Sequence, residues 1–138
     1  CWVVLAVLSL EQRFLLADQA NAYRWLGWAL VPTIYLLLMT TPRRLPWPVA
    51  AFDREYRVFA ALPLAVIALL WFWSANISAG DAGPLPYLPL LNPLELGMLL
   101  TLFAAARWAR IAVPRLGVPD DELGQPLRAV VGTSLFAW

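Results

Sequence analysis

Residues 58–73 read VFAALPLAVIALLWFW. Nothing in that run is charged, and its apolar side chains cover a helix all round instead of gathering on one side. A helix that is hydrophobic on every face belongs in the core of a large protein or in a bilayer. A chain of 138 residues has no core that large. Insertion scales give about −0.3 to −0.6 kcal/mol for each central Leu, Ile, Val or Phe. Val58, Phe59, Leu62, Leu64, Val66, Ile67, Leu69, Leu70 and Phe72 together therefore favour insertion by roughly 3–5 kcal/mol. Extended to 57–75, the helix is about 28 Å long, close to the thickness of a hydrocarbon core. Arg57 stands at one end, where its stem can snorkel to the surface.

The rest of the composition agrees. Hydrophobic residues make up 62% of the chain, above the roughly 45–50% of a soluble domain, and mean hydropathy is +0.67. Only 14% of residues are charged and the net charge is +1, which argues against a nucleic-acid partner. All ten basic residues are Arg, His is absent, and Cys1 is the lone cysteine. A disulfide within the chain is thereby excluded, a Cys/His metal site has no ligands, and the usual general base is missing. No cofactor or metal is expected. Ser9, Ser74, Ser78 and Ser134 have no His partner, so no catalytic residue is assigned. Asp53 with Glu55, and the run Asp120-Asp121-Glu122, lie in Arg-bearing segments and read as solvated or ion-paired.

Applied along the chain, the same reading predicts an all-α, polytopic transmembrane helix bundle with about five helices, at residues 1–10, 23–40, 57–75, 93–113 and 126–138. The chain opens in CWVVL and closes in LFAW. The first and last helices are therefore read as truncated, and the whole of 1–138 as a single transmembrane region, a fragment of a longer chain. Its expected partners are the lipid bilayer and the missing helices. Pro32 and Pro63 fall inside the second and third helices, where each removes a backbone hydrogen bond and is expected to kink the helix. The fourth helix needs its full length to span, because Glu95 and Arg107 leave a short uncharged centre. Arg107 and Arg110 then share one face and are read as snorkelling, the alternative being a functional intramembrane arginine. Its start is well marked: Asn92 at the N-cap, Pro93 at the first helical position, and Glu95 at the third, near the positive end of the helix dipole.

The basic residues set an orientation. Arg43, Arg44, Arg54 and Arg57 cluster around one loop and Arg107, Arg110, Arg115 and Arg128 around another, whereas residues 76–92 carry none and loop 11–22 with its edge carries Arg13 and Arg24. The positive-inside rule places loops 41–56 and 114–125 in the cytoplasm and loops 11–22 and 76–92 outside. Trp25, Trp28, Trp71 and Trp73 fall at the outer ends of their helices and Trp108 toward the inner end of its own, as in an aromatic belt.

The outward segment 79–96 reads AGDAGPLPYLPLLNPLEL. Prolines 84, 86, 89 and 93 forbid a regular helix before Asn92, yet the segment is apolar. It is expected to lie in the interface or to dip back against the helices. The stretch LPYLPLLNPLEL, with ALPLAVIALLWFWSANIS before it, resembles the bacterial membrane-protein family catalogued as domain of unknown function 2339. The similarity is clearest over residues 54–110. Members more often carry Asp at the position of Glu95, a change that keeps both acid and cap. The resemblance implies a long polytopic protein of the bacterial inner membrane and carries over no catalytic residues.

The best candidates for a binding site lie on this outer face. Asp81, Tyr87, Asn92 and Glu95, over a floor of Trp71 and Trp73, combine carboxylates with aromatics, as suits a sugar, a polyol or a cationic headgroup of a lipid or glycan. The plainer account is that Asn92 and Glu95 only cap a helix and the Leu and Pro residues only pack. Two functions follow: an envelope-related transport or scaffold role, or a membrane-embedded enzyme on lipid-linked or envelope glycans that uses Glu95 or Asp81.

Overall fold

The computed structural model describes residues 2–16, 18, 21–41, 45–77, 92–116, 125, 129–130 and 132–133. Four α-helices occur among them: α1 (Trp2–Leu15), α2 (Asn21–Met39), α3 (Ala61–Ala75) and α4 (Pro93–Arg115), with a π-helical turn, Glu55–Phe59, leading into α3. Of the expected fifth helix, only Ala129, Val130, Gly132 and Thr133 are described, and these are helical. Segment 78–91 lies outside the described residues.

Two boundaries differ from expectation by more than two residues, each for a physical reason. The first helix does not stop at residue 10 but runs to Leu15, and the Leu16 amide still donates to the Gln12 carbonyl at 3.0 Å. Glu11 and Gln12 end the apolar run, but both are good helix formers, so the helix outlasts its hydrophobic part. The third helix does not begin as an α-helix at Arg57. The Ala60 amide reaches back five residues to the Glu55 carbonyl, at 2.7 Å, and the α-helical ladder starts only at Ala61. Pro63 lies in the first turn of α3. It has no N–H to offer the preceding turn, and its ring would crowd the carbonyl four residues back. The widened turn sits directly before that point, where a π-bulge relieves the mismatch.

The fourth helix starts as expected. Asn92 has extended backbone (φ −65°, ψ 133°) and its side-chain oxygen accepts from the Leu94 amide at 3.0 Å. The bond goes to the second helical residue, one of the two amides an N-cap side chain reaches. The helix continues to Arg115, with Pro114 in its last turn.

The helices alternate in direction. At one end, Trp71 of α3 donates through Nε1 to the Trp25 carbonyl of α2 at 2.7 Å. There α4 comes so close to α2 that a Cβ at Gly97 would lie 2.1 Å from Leu26 Cδ1. At the other end, Arg57 reaches the Met39 carbonyl that closes α2, at 2.6 Å, and Trp108 of α4 donates to the Arg57 carbonyl at 2.7 Å. Helix α1 lies against α2, with Leu16 beside Gly27 and the Trp2 indole within 3.4 Å of the Ala60 carbonyl.

The interior holds Leu64, Trp71, Phe72, Leu102 and Trp108, but much of the helix contact is made by small residues and much of the aliphatic bulk points outward. On α3, Ala61, Ala65, Ala68 and Ala75 face inward while Leu62, Val66, Ile67 and Leu70 are exposed. On α4, Ala104, Ala105, Ala109 and Ala112 are buried while Leu96, Leu100 and Phe103 are exposed. Burying a large aliphatic side chain stabilises a fold in water by about 1.5–3 kcal/mol. Turning the four on α3 outward would forgo up to roughly 6–12 kcal/mol, which matches the whole stability of a typical domain. In lipid the same arrangement costs nothing, because acyl chains are as apolar as Leu, and small inward residues let helix backbones approach.

Candidate functional site

The residues expected to form an outer site are placed as follows. Asn92 is buried, with 3% of its surface exposed, and acts as the cap of α4. Glu95 is half-buried in the first turn of that helix, where the unsatisfied amides favour a carboxylate. Trp71 is buried at 6% exposure and packs with Leu94 and Met98 in one apolar cluster. Trp73 is 44% exposed, its ring set edge-on to Phe72 at 6.2 Å. Two positions apart on a helix is about 200° of rotation, so Trp71 and Trp73 look in different directions and do not share a floor. The structure thus gathers Trp71 with the first turns of α4 and leaves Trp73 on the outside. Asp81 and Tyr87 lie outside the described residues.

The opposite end holds a polar cluster that the sequence reading did not assemble. Arg57 does not snorkel. It is 9% exposed, with Nε on the Asp53 carboxylate and Nη1 on the carbonyls of Met39 at 2.6 Å and Thr41 at 3.0 Å. Met39 closes α2 and Thr41 follows two residues later, so the guanidinium caps the negative end of that helix dipole. The second Asp53 oxygen meets Arg115 of α4 at 3.2 Å. The π-helical turn adds acceptors of its own: the Tyr56 carbonyl receives the Tyr35 hydroxyl at 3.0 Å, and the Arg57 carbonyl receives the Trp108 indole N–H. One turn thereby binds α2 through Tyr35 and α4 through Trp108. The signals available in sequence were Asp53 and Arg57 spaced four apart and Pro63 just downstream. The burial of Arg57 depends on α2 ending beside it, which no local pattern records.

Midway between the ends, Thr33 of α2 and Thr101 of α4 share a buried hydrogen bond of 2.8 Å. Small hydroxyl residues that pair across helices are a means by which bundles hold together in lipid. Arg107 and Arg110 are both exposed and flank Trp108, at the level where α3 begins. Among the described residues no group of His, Cys, Asp or Glu is arranged to hold a metal ion.

Among the described residues, two helices are long and apolar enough to cross a bilayer, Glu55–Ala75 with 21 residues and mean hydropathy 2.1, and Pro93–Arg115 with 23 residues and mean hydropathy 1.5. With many small residues at the helix contacts and a bulky aliphatic exterior, they fit an α-helical membrane protein. The chain belongs to the family described as "Predicted membrane protein (DUF2339)", which matches residues 1–138. That match covers the N- and C-terminal stretches as well as residues 54–110. No curated protein and no solved structure matches the chain.

Proposed function

We propose that this chain is a scaffold of the bacterial inner membrane, serving the cell envelope alone or within a transport assembly. The observation behind this reading is the use made of its inward polar groups. The Thr33–Thr101 pair, Trp71 on Trp25, Trp108 on the Arg57 carbonyl, and Arg57 on the end of α2 each join one element to another. Groups committed to holding helices suit a frame. The test replaces Glu95 by Gln and by Ala in the full-length protein and measures both abundance and rescue of a strain lacking it. The scaffold reading expects Glu95→Gln to rescue at normal abundance. Loss of rescue by Glu95→Gln at normal abundance would instead favour an enzyme acting through that carboxylate on envelope glycans.

The orientation belongs to the same proposal. We place the segment around 41–56 and the one from 114 onward in the cytoplasm, because they carry the arginines, and the segment 76–92 outside. With Cys1 replaced by Ala, a membrane-impermeant thiol reagent applied to intact cells should label Gly83→Cys and not Ala50→Cys. Equal labelling of both from outside would overturn the orientation.

A further inference from the structure

We propose that the outward face of α4 binds an anionic phospholipid in the leaflet at the Arg57 end of the bundle. The exposed residues of α4 up to its last turn are Leu96, Leu100, Phe103, Arg107 and Arg110. Their spacing of four, three, four and three places them in a single stripe along the helix. The stripe has two parts. Leu96, Leu100 and Phe103 are apolar and cover the portion toward the Asn92 end. Arg107 and Arg110 follow one and two turns further on. Depth is set by Trp108, whose indole donates to the Arg57 carbonyl. The two guanidiniums therefore lie level with the end of α2 and the start of α3, at the edge of the apolar slab.

The charges are available. Arg57 and Arg115 both engage Asp53, and the Arg54 guanidinium lies over the Phe59 ring at 5.6 Å. Arg107 and Arg110 make no ion pair with any described residue. A guanidinium pair at this depth matches a phosphodiester, which it meets with parallel N–H donors, and acyl chains descending from that phosphate run along Phe103, Leu100 and Leu96. A zwitterionic lipid brings its own cation to the same place, so charge complementarity selects a headgroup of net negative charge. The inference rests on α4 facing lipid and is independent of the scaffold role.

The experiment uses the full-length protein in a neutral detergent, with native mass spectrometry reading lipid adducts. The probes are phosphatidylglycerol, phosphatidylcholine and inorganic phosphate. Phosphatidylglycerol should bind in preference to phosphatidylcholine. The variant Arg107→Gln/Arg110→Gln should weaken phosphatidylglycerol on the order of tenfold and leave phosphatidylcholine unchanged. Arg107→Lys/Arg110→Lys should keep most of the affinity, and Arg24→Gln, an exposed charge at the other end of α2, all of it. If the double Gln variant does not fold, each single Gln variant should still lose about threefold. The proposal is overturned if the Gln variants bind phosphatidylglycerol like the parent, if Arg24→Gln weakens it equally, or if millimolar phosphate displaces the lipid. Disulfide formation between copies carrying Leu100→Cys, with no lipid preference, would mark the stripe as a protein interface and also overturn it.

Discussion

At the start of an apolar span an arginine either reaches along its stem to water or turns inward onto protein acceptors. Arg57 turns inward, because the end of α2 offers two carbonyls and Asp53 offers a charge within reach of one planar group. Breaking such an arrangement costs more than the arrangement contributes, since the partners stay buried without it. Arg57→Gln should therefore lower stability by roughly 2–4 kcal/mol, read as a fall in the thermal unfolding midpoint of the full-length protein by tryptophan fluorescence. Arg57→Lys should recover only part of that, because an ammonium is a point donor and lacks the flat fork. Asp53→Asn should cost less than Arg57→Gln, since the Asp53 side chain is 48% exposed and water takes up some of its role. An unchanged midpoint for Arg57→Gln would mean that the guanidinium is solvated after all.

At the scale of elements, the helices meet through small and hydroxyl side chains, and two sets of substitutions examine those meetings. Thr33→Val and Thr101→Val should each destabilise by about 0.6 kcal/mol, at most about 1.7. The double variant should cost less than their sum, because it leaves no stranded hydroxyl; equilibrium unfolding of the four proteins in a double-mutant cycle measures this. At Gly97 the nearest obstacle to a side chain is the tip of Leu26, which can rotate aside. Gly97→Ala should be near neutral, since Ala also favours the helix by about 1 kcal/mol, whereas Gly97→Ile overfills the contact and should cost about 1–3 kcal/mol in the same assay. These elements also show what sequence can and cannot disclose. The start of α4 was legible because Asn92 and Pro93 act on their own backbone. The end of α1 was misplaced because a drop in hydropathy at Glu11 marks where lipid-compatible residues stop, which is not where a helix must stop. The π-helical turn was invisible, since it answers jointly to Pro63 and to donors arriving from Tyr35 and Trp108.

For the molecule as a whole, the membrane class was readable because the uncharged cylinder of 58–73 recurs beside other apolar runs in a chain with only 14% charged residues, which leaves a bilayer as the simplest place to bury them all. The candidate outer site was legible only as a list of residue types. Adjacency in sequence put Trp71 and Trp73 together, and helical geometry separates them. The aliphatic outer face of α3 makes a prediction that distinguishes the bilayer from water as solvent. Ile67→Asp places a carboxylate on the exposed face of α3 and should cost about 2.5–3.5 kcal/mol of insertion, seen as a sharp drop in membrane-fraction yield, although surface substitutions of this kind are normally tolerated in soluble proteins. Inward, Ala68 is fully buried, and Ala68→Leu should also destabilise, by about 1–3 kcal/mol, because the helix contact has no room for the added bulk. The alanine seams have a calorimetric corollary. Pulling these helices apart within the bilayer exchanges protein neighbours for acyl chains and wets almost no hydrocarbon, so the dissociation should carry a heat-capacity increment near zero and respond little to urea.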